Sequence, residues 1–145
     1  MVITEVVIAA VAAGVMMGIA TEIGYGTSII RANLLRIDGE FAANLIGLKP
    51  DITLIYLFGI AVHLVTSASF GAGLFIIAKI LNIDVAAITT IAFYVFALWL
   101  SMLFIALPVA GHGIFGRRLG SSIWVEQLIL HIIFAVGLWI MLNIF

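Results

Sequence analysis

Residues 52–78 read ITLIYLFGIAVHLVTSASFGAGLFIIA, a run with no Asp, Glu, Lys or Arg. A helix rises ~1.5 Å per residue, so about 20 apolar residues cross a ~30 Å hydrocarbon core. A barrel strand needs only about 10 residues, and it alternates apolar with polar. This run is longer and does not alternate, so it reads as a transmembrane helix whose backbone bonds to itself because lipid offers no partner. Three further stretches read the same way, at about residues 2–23, 85–110 and 124–145.

The rest of the chain agrees with a lipid environment. Apolar residues make up 66% and charged residues 9% of the 145 positions, whereas a soluble domain needs far more charge to cover its surface. The expected fold is an all-α integral membrane protein with four transmembrane helices in one membrane domain, 1–145. The opening MVITEVVIAAVAAG lacks a basic leader and is expected to be the first span. Cysteine is absent, which excludes disulfides, thiolate metal sites and cysteine nucleophiles. A net charge of -1 provides no basic patch for nucleic acid.

The cations set an orientation. Arg31, Arg36 and Lys49 fall between the first two spans, Arg117 and Arg118 between the last two, and Lys79 alone on the other side. The positive-inside bias places both Arg-bearing loops in the cytoplasm and both termini outside the cell membrane.

Two similar phrases mark the cytoplasmic exits: GYGTSIIR at 24–31 and GHGIFGRR at 111–118. In each, a glycine is expected to end the helix in the left-handed conformation, with Arg beyond it among the headgroups. A returning helix then carries a histidine, His63 or His131. The chain thus divides into two helical hairpins, 1–82 and 83–145, which read as a parallel repeat. Between the first two spans, Ile30, Leu34, Ile37, Phe41, Leu45 and Leu48 form one apolar stripe at helical spacing. Asp38-Gly39 is expected to interrupt it, leaving two short helices flat at the interface over about 28–48.

Small residues mark the packing faces. Ala10, Gly14, Gly18 and Glu22 recur every four residues in the first span. Gly59, His63, Thr66, Ser67 and Gly71 share a face of the second, leaving Phe58, Leu64 and Phe75 toward lipid. Gly14, Gly18, Gly59 and Gly71 are expected at close helix contacts. Glu22, Thr66, Ser67 and Glu126 are the candidate buried polar groups. His63, ~18 Å along its helix from Asp51, falls near the bilayer middle and needs a specific partner. His131 is expected to donate to a neighbouring carbonyl, and His112 to face the headgroups. Pro108 should bend or end the third span.

Three functions follow from these residues. His63 and His131 are the candidate cofactor ligands, for haem b or for quinone-linked electron transfer, although His63 counts several ångströms deeper than His131. A small transporter or proton pathway would use the same intramembrane polar residues. The favoured reading is an accessory subunit without catalytic residues, metal or cofactor of its own. It would dock against other membrane subunits or itself, with bound lipid, beside an oxidase or monooxygenase of energy metabolism. No nucleophile elbow, phosphate loop or zinc-protease signature occurs, and Glu22, His63, Glu126 and His131 have no one-turn ligand spacing.

The helix centred on HLVTSASFGAGL and the ending HIIFAVGL, with His63, Gly71, His131 and Gly137, resemble YagU-like four-helix membrane proteins. The resemblance implies an architecture and no activity.

Overall fold

A computed structural model describes all 145 residues and contains no strand. Its helices are α1 (Ile3–Gly26), α2 (Leu34–Leu45), α3 (Ile52–Leu81), α4 (Ile88–Val109) and α5 (Ile123–Leu142). All except α2 are long and apolar enough to cross a membrane. Val65, Ile80 and Phe93 are 65%, 76% and 78% exposed. Such side chains in water would aggregate, and in lipid they are the solvent-matched surface. At 30 residues, α3 is about 45 Å long and exceeds the hydrocarbon core, so it tilts or projects.

The core is organised by α1, which packs on both α3 and α5. Val6, Ala9, Ala10 and Ala13 are wholly buried along it, because small side chains let three backbones converge. A Cβ added to Gly14 would lie 2.2 Å from Ser67 Oγ, and one on Gly71 would lie 2.9 Å from the Val6 carbonyl oxygen. Gly137 of α5 faces Ala13 in the same manner, at 3.4 Å. Gly18 is looser than expected, since its added Cβ would meet His63 no closer than 3.7 Å. Gly59 makes a close helix contact, and its neighbour is α2: an added Cβ would fall 1.8 Å from the Leu35 carbonyl oxygen. Phe75, expected toward lipid, packs against the core cluster.

α4 leans on α5, with Trp99 Nε1 donating to the Trp124 carbonyl at 3.1 Å. The helices therefore run in the order α3, α1, α5, α4, and α4 returns to α3 through Tyr94, whose hydroxyl donates to the Phe70 carbonyl at 2.8 Å. Within α4, residues Met102–Ala106 widen into a π-helical turn. Pro108 explains its position: the ring has no N–H to donate and crowds the carbonyl four residues earlier, so the turn before it expands.

Two expectations about the connections are corrected. Asp38-Gly39 does not break the segment after α1, because α2 runs unbroken from Leu34 to Leu45. Gly39 is instead a contact glycine, where a Cβ would fall 1.9 Å from the Ile55 carbonyl oxygen. The two glycine phrases also differ. In the first, Gly24 and Gly26 remain helical within α1, and Ser28 takes the positive φ of 61°. In the second, Gly111, Gly113 and Gly116 all have positive φ.

Candidate functional site: a polar cavity between the helices

The segment after α1 is tied back into the bundle by carboxylates and a hydroxyl. Glu126 Oε2, on α5, accepts from the backbone N–H groups of Arg31 at 2.8 Å and Ala32 at 3.3 Å, and Ser122 Oγ donates to Oε1. Thr21 Oγ1, on α1, accepts the Leu34 N–H at 3.1 Å. Asn33 caps α2 by accepting the Arg36 N–H, and its amide donates to Glu22 Oε1 at 2.7 Å. Glu126 is buried as expected, while Glu22 is exposed. Its carboxylate stays at the surface, where hydration costs nothing.

With α2 held by these anchors, Asp38 meets His63 of α3. His63 Nδ1 and Asp38 Oδ2 are 2.9 Å apart, and His63 Nε2 lies 2.9 Å from the Gly14 carbonyl oxygen. A carbonyl only accepts, so Nε2 carries a hydrogen and donates to Gly14. One further proton lies between Nδ1 and Asp38, and the pair is neutral whichever of the two holds it. That neutrality is how an acid and a base are accommodated away from water. Burial raises the Asp38 carboxyl above the ordinary carboxylate range, with the His63 hydrogen bond pulling it down. The close Gly39–Ile55 and Gly59–Leu35 contacts bring the two helices near enough for the bond to form.

Asp38 is the residue that sequence reasoning missed. Its signal was present: it follows Leu34 by four residues and precedes Phe41 by three, which puts a carboxylate on the apolar stripe.

His131 stands differently. Its Nδ1 donates to the Gln127 carbonyl one turn earlier, at 2.8 Å, as expected from sequence. That bond fixes the hydrogen on Nδ1 and leaves Nε2 with a lone pair and no protein partner. Gln127 is fully buried, and neither atom of its side-chain amide has a partner in the protein.

Both imidazoles and Asp38 line one cavity of about 200 Å³. Met17 of α1, Phe134 of α5, and Leu34 and Phe41 of α2 line it together with residues of α3 and α4. Thr66 and Ser101 add hydroxyls, each already donating to a carbonyl of its own helix. Ser67 does the same toward His63. The π-helical turn supplies Met102, Ile105 and Ala106.

Both nitrogens of His63 are engaged, so axial ligation of a haem iron would break one of its bonds. No three His, Asp or Glu side chains converge as a metal-ligand set. His112 does not face the headgroups freely, because its Nε2 bonds Glu40 Oε2 of α2. Asn44 adds a bond to the Val109 carbonyl, so α2 straps the cavity end from α3 across to α4. Comparison with family models, curated proteins and solved structures finds no match.

Proposed function

We propose that this chain is a small multi-pass membrane protein that binds a small molecule in the cavity between its helices, as a carrier or transporter would. The observation that supports the reading is the convergence of His63, Asp38 and His131, from three helices, on one mostly apolar cavity. Mixed lining of this kind, apolar walls with a few placed polar groups, characterises small-molecule sites. Intramembrane ionisable residues are otherwise costly. The proposed setting is the cell membrane with the Arg-bearing end in the cytoplasm, on the positive-inside argument.

The test is to purify the protein from membranes in mild detergent and identify bound small molecules by mass spectrometry. Ser101→Trp, which fills the cavity from α4, is the control. A compound enriched at least tenfold over this variant is expected. Identical profiles for the two proteins would count against the reading.

A second reading, an accessory subunit beside a larger oxidase or monooxygenase of energy metabolism, draws on the exposed apolar faces of α3 and α4. The same preparation tests it, because stoichiometric partner chains in its intact-mass spectrum would support docking.

A further inference from the structure

Residues of all five helices line the cavity. α2 meets α3 at Gly39 and α4 through Asn44, and the Tyr94–Phe70 bond joins α4 to α3. Between these ties α3 and α4 stand apart. Val62, Thr66 and Phe70 line one side of the gap, and Leu98, Ser101 and Ile105 the other. Ile105 lines the cavity and is still 58% exposed, so the gap opens sideways. It lies within the apolar length of both spans, which makes the surrounding medium lipid rather than water.

The polar atoms left unspent in the cavity are of one kind. His131 Nε2 is a lone-pair acceptor, because Nδ1 holds the hydrogen, and Asp38 Oδ1 accepts as well, since only Oδ2 is engaged by His63. Thr66 Oγ1, Ser67 Oγ and Ser101 Oγ have given their hydrogens to helix carbonyls and retain only accepting capacity. The Nε2–H of His63 is taken by Gly14. Acceptors without donors call for a ligand that donates. The Asp38–His63 pair is neutral as a unit, so the cavity provides no counter-charge for an ion, and burying an unpaired charge is prohibitive. In size, an apolar cavity of ~150 Å³ accommodates benzene, and this one, at about 200 Å³, admits one substituted ring.

We infer that the cavity takes a neutral, lipid-soluble phenol or alcohol, which enters from the bilayer between α3 and α4 and donates its hydroxyl hydrogen to His131 Nε2. This rests on the small-molecule reading above and specifies its ligand. A tail on the ring would lie in the gap, against Val62 and Ile105.

The test uses 4-fluorophenol and 4-fluoroanisole, which match in shape and differ in the donor, titrated into the full chain in lipid nanodiscs and followed by fluorine NMR. Protein-free nanodiscs correct for partition into lipid. Saturable binding of the phenol at least tenfold tighter than the anisole is expected. His131→Phe should bring that ratio near one while anisole binding persists, and Ser101→Trp should abolish both. Equal affinities in the unmodified protein would overturn hydroxyl recognition and leave the small-molecule reading standing. Absence of saturable binding for both probes, or binding unchanged by Ser101→Trp, would overturn the two together. The ratio in the unmodified protein decides the matter even if a variant fails to fold.

Discussion

At the scale of single residues, the buried Asp38–His63–Gly14 chain is the most consequential polar feature. A buried partner left unpaired costs ~1–3 kcal/mol, whereas removing both partners of a bond costs much less than the sum. Asp38→Leu and His63→Leu should therefore each lower the thermal unfolding midpoint in detergent, and the double variant should lie well above the additive expectation. Asp38→Asn should be milder, because an amide N–H can still donate to Nδ1. Additive losses would show that the two side chains do not act as a unit. His131 is predicted to behave otherwise, since its free nitrogen stabilises nothing within the protein. His131→Phe should leave the unfolding free energy within about 1 kcal/mol of the unmodified protein, in line with a shape-conserving change.

At the scale of elements, the glycines are not equivalent. Gly39 and Gly59 face backbone carbonyl groups at 1.9 and 1.8 Å from an added Cβ, while Gly18 faces a side chain at 3.7 Å. A backbone cannot step aside as a side-chain tip can, so Gly59→Ala and Gly39→Ala should prise α2 from α3. A loss of roughly 1–3 kcal/mol in unfolding free energy, as for overpacked cores, is expected, seen as a lower unfolding midpoint. Gly18→Ala should be neutral. Gly14 lies between these cases, because its obstacle is the Ser67 side chain, and Ser67→Gly should rescue Gly14→Ala. Protection of α2 amides in hydrogen exchange should fall in the Gly59 and Gly39 variants before that of α1. Unaltered α2 protection would show that the strap does not depend on this crossing.

For the whole molecule, contacts of α1 with α3 near Gly71, of α1 with α5 near Gly137 and of α4 with α3 near Tyr94 make neighbouring spans antiparallel. Arg31, Arg36, Lys49, Arg117 and Arg118 consequently share one end. Cysteines introduced at the exposed Ser28 and Ser121 should label together with an impermeant reagent, only after the cells are opened. Labelling in intact cells would invert the proposed orientation. Two interfaces differ, α1 against α5 and α4 against α3. The first is closed by Ala13 and Gly137. The second is held apart by Leu98, Ser101 and the π-helical turn, and the cavity lies there.

Length and composition alone determined the four helices long and apolar enough to cross a membrane, because the demand of lipid for internally bonded, apolar segments is local and leaves a continuous trace such as 52–78. The roles of Gly14 and Gly71 were legible for the same reason: small residues spaced every four positions describe one helix face. Only the tertiary structure decided that Gly59 and Gly39 pair with each other across α2 and α3, since no helix shows which neighbour its face will meet. Asp38-Gly39 reads locally as a break. Packing outweighs that tendency, because the crossing against Ile55 and Leu35 needs a residue without a side chain. The cavity was likewise invisible in the sequence. His63 and His131 announce themselves as costly residues in lipid, but their partners lie 25 and 49 residues away in one case and a single turn away in the other. Which nitrogen remains free, and what it can accept, depends on those partners.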